Sequence, residues 1–65
     1  MELDLHGVRH HEVERLIENF VLLNEPPLTI IIGNSDKMFD IVSNKLNKLD
    51  VEWERWNWAS IKVLK

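Results

Sequence analysis

Leu28-Thr29-Ile30-Ile31-Ile32-Gly33 is the stretch on which the fold of this chain turns. It is apolar and β-branched almost throughout, a composition that crowds a helix and packs well on a pleated surface. The run reads as a central strand, covered on at least part of both faces, as parallel strands usually are. Pro26-Pro27 precedes it and forbids a helix from running into it. Gly33 ends it, and Asn34, Ser35 and Asp36 are each competent helix N-caps.

Working outward, the segment before the prolines carries Val13, Leu16, Ile17, Phe20 and Leu23 at spacings of three and four. Glu14, Arg15 and Glu18 fall on the other side, so a helix is expected from about Val8 to Leu23. Upstream of Gly7, residues 2–6 alternate: Leu3 and Leu5 face one way, Glu2, Asp4 and His6 the other, the period of a short strand. Downstream of Gly33, Met38, Phe39, Ile41, Val42, Leu46 and Leu49 form the apolar stripe of a second helix reaching about Leu49. Lys37, Lys45 and Lys48 lie along one flank of that stripe. The tail from Val51 to Leu64 alternates again and gives two short strands, with a break expected near Arg55 and with Ala59, Ile61 and Val63 on one face of the last. The order is β-α-β-α-β-β. Two strand-helix-strand units imply right-handed crossovers. The expected architecture is a two-layer α/β sandwich, with a mixed, mostly parallel four-stranded sheet and two helices on one face.

The 65 residues, 7.7 kDa in mass, allow one small domain over 1–65. A chain of this size buries only about 60% of the surface that its unfolded form exposes. A deep pocket within one subunit is therefore not expected, and any site is shallow or shared in a dimer. With 45% apolar and 29% charged residues, two Gly and two Pro, the chain is neither disordered nor of low complexity. No apolar run is long enough for a membrane span, and Met-Glu-Leu-Asp at the start is no export signal. The absence of cysteine removes disulfides, thiolate zinc sites and a Cys nucleophile. A soluble, cytoplasmic domain is the expectation. Eight Lys/Arg against eleven Asp/Glu give a net charge of −3. That balance argues mildly against a dedicated phosphate-backbone binder, without excluding a local basic patch.

Both glycines, Gly7 and Gly33, stand at the carboxyl end of a strand just before a helix. Glycine accepts a positive-φ turn and lets a ligand approach the main chain. The helix N-terminus beyond it offers free N–H groups to an anion. If the first two strands are adjacent and parallel, both junctions open on one edge of the sheet, where α/β folds tend to bind ligands. Geometry alone also explains a glycine in such turns.

All three histidines fall within residues 6–11. Asp4 and His6, two apart on a strand, would share a face, and a carboxylate beside an imidazole can fix its tautomer for acid–base work. Glu2 extends the row, but consecutive strand positions splay, so no built-in metal site is assigned. Arg9 and His10, beside Gly7, are placed to reach a phosphate, whereas His11 projects with Glu14, Arg15 and Glu18 into solvent. Trp53, Trp56 and Trp58 crowd into the last third of the chain. Packing in the core and on the sheet face is the favoured reading of these rings, since a small domain needs their area. Trp56 and Trp58 are the candidates for an exposed pair that stacks on unpaired bases, or for a homodimer contact.

Leu3-Asp4-Leu5-His6-Gly7 resembles, at every position, the Leu-Asp-Leu-His-Gly opening motif of the small MutS-related (Smr) domain family. Glu12 and the apolar spacing through Leu16 and Phe20 also fit. The second family hallmark, a Gly-x-Gly turn after an apolar strand, looks like Ile30-Ile31-Ile32-Gly33-Asn34-Ser35, with Ser35 where the second Gly would stand. A looser likeness extends through the second helix to Ser60-Ile61-Lys62-Val63-Leu64. The resemblance implies a β-α-β-α-β-β sandwich, similar to the C-terminal half of bacterial translation initiation factor three. It also implies nucleic-acid binding with endonuclease activity on DNA or RNA. Carried over by position, Asp4 and His6 become the acid–base pair, and Gly7 with Gly33, Asn34 and Ser35 the backbone cradle. Three departures stand out. The second Gly is missing, the chain begins two residues before the motif, and Trp56-Asn57-Trp58 replaces a Gly-rich approach to the last strand.

The leading expectation is a minimal nuclease. His6 acts on a phosphodiester, Asp4 orients it, and Arg9, Lys37 and the N–H groups around Gly33 and Ser35 hold the phosphate. Participation of a divalent ion such as magnesium stays open, since an RNA substrate can supply its own 2′-OH as nucleophile. Two other readings stand beside it. One is a non-catalytic module that binds single strands, and the other is a protein-interaction domain that uses the tryptophan cluster.

Overall fold

The computed structural model describes the whole chain, Met1–Lys65. Its elements follow the expected order: β1 (Glu2–Asp4), α1 (His10–Leu23), β2 (Leu28–Ile31), α2 (Asp36–Lys48), β3 (Trp53–Asn57) and β4 (Ser60–Val63). The four strands form one mixed sheet in the order β1-β2-β4-β3. Leu3 lies opposite Ile30 in the parallel β1–β2 ladder, and Ile30 lies opposite Ile61 in the antiparallel β2–β4 ladder. β3 completes the far edge, antiparallel to β4.

"Mostly parallel" therefore holds for strand directions and not for ladders. β1, β2 and β3 run the same way, but β4 returns from β3 through a tight hairpin and inserts between β2 and β3. That leaves a single parallel ladder. A hairpin forces its two strands antiparallel, whereas a helical crossover permits a parallel pair.

The core follows from the two periodicities. Leu28, Ile30 and Ile32 alternate inward from β2 and its end, Ile61 and Val63 join them from β4, and Leu5 closes the β1 side. Val13, Ile17 and Phe20 of α1 and Met38, Val42 and Leu46 of α2 meet them in one cluster. Both helices thus cover one face, as two helices must. Thr29 and Ile31 point to the uncovered face and are only half-buried. The helices are also tied to each other at their flanks, by Lys45 Nζ to Glu18 at 2.9 Å and Lys48 Nζ to Glu14 at 3.6 Å.

Two boundaries differ from the sequence reading, the start of α1 and the β3–β4 turn, while the end of α2 falls where expected. α1 starts at His10, because Leu5 to Val8 form a turn in which the Val8 N–H donates to the Leu5 carbonyl at 3.0 Å. Gly7 supplies the positive φ of +83° in that turn. α2 stops at Lys48 in a Schellman closure: Val51 N–H reaches the Leu46 carbonyl and Asp50 N–H the Asn47 carbonyl, with Asp50 left-handed at φ 58°. The break expected near Arg55 is absent, since β3 runs through it. The Arg55 guanidinium lies 4.3 Å from the centroid of the Phe39 ring, which accommodates a charge on the helix-facing side of the strand. The turn comes instead at Trp58-Ala59. There Asn57 Oδ1 accepts from the Ala59 N–H at 2.8 Å and the Ser60 hydroxyl at 3.1 Å. No helix is long and apolar enough to cross a membrane.

Candidate functional site

Because β1 and β2 are parallel neighbours, their carboxyl ends emerge side by side, and the turn after each leads into a helix on the same face. Between these turns lies an open groove of about 690 Å³. Its apolar floor is Leu5, Val8, Ile32 and Met38, and its polar lining includes His6, Arg9 and His10 from the first turn. Gly7 borders it on that side, and Asn34 and Ser35 face them from the second turn.

The two turns touch. A Cβ built on Gly33 would stand 3.2 Å from Cδ2 of the His6 ring, so the imidazole lies directly against the bare α-carbon. Gly33 also has φ +68°, in the left-handed region. Its N–H and that of Ile32 both donate to the Ala59 carbonyl, at 3.2 and 2.8 Å. This pair of bonds anchors the Gly33 turn to the β3–β4 hairpin and fixes the surface on which His6 rests. Gly7 has open space where its Cβ would be, so only its φ of +83° argues for glycine there.

The helix ends at the groove are unlike. Ser35 caps α2, its hydroxyl accepting from the Met38 N–H at 3.1 Å. α1 has Arg9 at the N-cap position, and no side chain caps it. Arginine is a poor N-cap, and its charge opposes the positive end of the helix dipole. Arg9 is exposed, lines the groove and makes no ion pair.

Asp4 departs from expectation. β1 ends at Asp4 and His6 lies within the turn that follows, so the two are not alternating positions of one strand. The carboxylate instead accepts the main-chain N–H of His6 at 2.9 Å, and so fixes the backbone that carries the imidazole. Lys37 is exposed on the first turn of α2 and does not line the groove. His11 is exposed, as read. Of the tryptophans, only Trp53 is part-buried, edge-on to Phe39 at 6.0 Å and hydrogen-bonded through Nε1 to Asn47. Trp56 and Trp58 stay out of the core, 56% and 64% exposed. The expectation of core packing is thus corrected for these two: Trp56 lies on the sheet face under Lys62, and Trp58 stands in the turn beyond β3. β3 is an edge strand, and with Trp53 and Arg55 paired to the inward Val63 and Ile61, its alternation puts Trp56 on the uncovered face.

Sequence reasoning missed the floor residues, because Leu5, Ile32 and Met38 read simply as members of apolar stripes. Their placement at the last inward position of a strand or the first of a helix is the signal that they border an end of the sandwich. No group of three His, Asp or Glu side chains is arranged to hold a metal ion. No protein-family model, curated protein or solved structure matches the chain.

Proposed function

We propose that the groove binds a nucleic-acid backbone and cleaves a phosphodiester there, with His6 as the proton-transfer group. The observation that carries this reading is the convergence of His6, Arg9 and His10 with the starts of both helices on one groove. Histidine is the side chain best suited to take and give a proton near neutral pH. An uncapped arginine at a helix N-terminus weakens the local structure, the kind of rule-breaking expected where function overrides stability. Free N–H groups of the two first turns add partial positive charge at the same place. The resemblance to Smr domains at Leu3–Gly7 and Ile30–Ser35 supports the same assignment.

In this mechanism Arg9 and the first-turn N–H groups hold the non-bridging phosphate oxygens, and His10 supports them at the rim. The His6 imidazole takes the proton of the attacking oxygen, a water or the 2′-OH of RNA, as the P–O bond to the leaving oxygen breaks. The leaving oxygen takes a proton from solvent water, and the imidazolium returns its own to solvent. Asp4 holds the His6 main chain, and Gly33 provides the flat support beneath the ring, so both are positioning residues. The roles separate kinetically. His6→Gln lowers kcat with little change in KM, whereas Arg9→Ala chiefly raises KM, and equal effects of both on KM alone would contradict the division of labour.

A further inference from the structure

Trp56 and Trp58 are left unexplained by the groove and by the core. In so small a domain, leaving two of three tryptophans more than half exposed withholds apolar area that the core lacks. The hairpin that carries them is firmly built. Arg55 donates to the main-chain carbonyls of Asn57 and Trp58, at 3.4 and 3.2 Å, and Asn57 ties the far side of the turn through Ala59 and Ser60. The Lys62 ammonium sits over one face of the Trp56 ring, 4.2 Å from its centroid, while the residue as a whole stays more than half exposed. Glu54, opposite Lys62 in the ladder, is the acidic neighbour on that side.

The hairpin is also joined to the groove. Ala59, the residue after Trp58, accepts the N–H groups of both Ile32 and Gly33, and Gly33 carries the His6 ring. The packing of His6 on Gly33 and the hydrogen bonds to Ala59 therefore set the tryptophan tip next to the turn on which the imidazole rests. We infer that the Trp56–Trp58 hairpin is a base-stacking platform continuous with the groove, and that the nucleic acid taken by this protein is single-stranded. Unpaired bases present both faces to an aromatic ring, whereas bases inside a duplex are already stacked on each other. Lys62, beside Trp56, supplies the phosphate contact that accompanies such platforms. The inference rests on the nucleic-acid reading of the groove and adds the substrate class to it.

The test is binding of a fluorescein-labelled oligouridylate of about 10 nucleotides. Anisotropy and quenching of tryptophan emission are recorded over a range of salt, with a duplex of the same length as comparison. The wild type binds the single strand more tightly than the duplex, with its tryptophan emission quenched. Trp58→Ala and Trp56→Ala each weaken single-strand binding by roughly 5- to 150-fold, the range for one lost base–aromatic stack. Both leave the slope of log affinity against log salt unchanged, while Lys62→Gln lowers that slope by about 0.7, the value for one phosphate contact on a single strand. Trp58→Phe keeps part of the affinity, because a smaller ring still stacks. Equal affinity of wild type and both Trp→Ala variants would overturn the platform, as would preference for the duplex. A wild-type dimer that Trp58→Ala dissociates, with no oligonucleotide bound, would assign the rings to a self-contact instead. Cleavage is scored separately on the same samples. Trp-dependent binding without cleavage retains the platform and removes the nuclease, and cleavage indifferent to both Trp→Ala changes does the reverse.

Discussion

His6 and Gly33 come from turns at the ends of different strands, and each limits what the other can be. Alanine at Gly7 or Gly33 must adopt a left-handed φ, which costs about 1–2 kcal/mol for an L-residue. Only at Gly33 does the new methyl also meet His6, at 3.2 Å. Gly33→Ala is therefore expected to destabilise more than Gly7→Ala in urea unfolding, with about 0.5 kcal/mol of the excess lost in a His6→Ala background. Strictly additive effects would show that the ring yields freely. The glycines, the histidine and the arginine were legible as types at their turns, since both motifs stand in the sequence. Their contact was not, because it depends on the parallel pairing of β1 with β2, and no spacing within either motif encodes that. The bond from the His6 main chain to Asp4 was not legible either, since a carboxylate two residues upstream of a turn can reach a main-chain N–H without any mark in the strand period.

At the scale of elements, the ends of the helices separate stability from function. Ser35→Ala removes the α2 cap and is expected to cost about 1 kcal/mol. Arg9→Asp gives α1 the cap that it lacks and reverses an unfavourable charge at its positive end. It should raise stability by about 1 kcal/mol while weakening nucleic-acid binding. A variant both more stable and equally tight in binding would remove Arg9 from the site. At the other end of α2, Asp50→Gly relieves the left-handed residue of the Schellman closure, with an expected gain of about 0.5 kcal/mol once the flexibility of glycine is set against it. Element identities were readable from hydrophobic period throughout. The hairpin expected near Arg55 lies beyond that residue. The Arg55 guanidinium is sheltered on Phe39, a tertiary contact invisible to the period, and the turn chemistry resides in Asn57.

At the scale of the whole molecule, one cluster of twelve buried apolar residues holds both layers together and so holds the groove open at their edge. Ile30, fully buried at the centre of the sheet, has no second core to fall back on. Ile30→Ala should cost about 2–5 kcal/mol. That is a large share of the roughly 3–10 kcal/mol typical for a chain of this length, and it is read as a marked fall in the urea midpoint at unchanged slope. The layer count was legible from two amphipathic helices and four short strands. The insertion of β4 between β2 and β3 was not, because pattern gives a strand's faces and not its neighbours. The central claim is that this edge is a phosphodiester-cleaving groove whose proton-transfer group is His6. It is tested most directly by incubating labelled RNA and DNA, single- and double-stranded, with wild type and with folded His6→Ala, each with magnesium and with a chelator. The account predicts product from single-stranded substrate with the wild type and none with His6→Ala. Equal product from both, or none from a folded wild type under any condition, would contradict it.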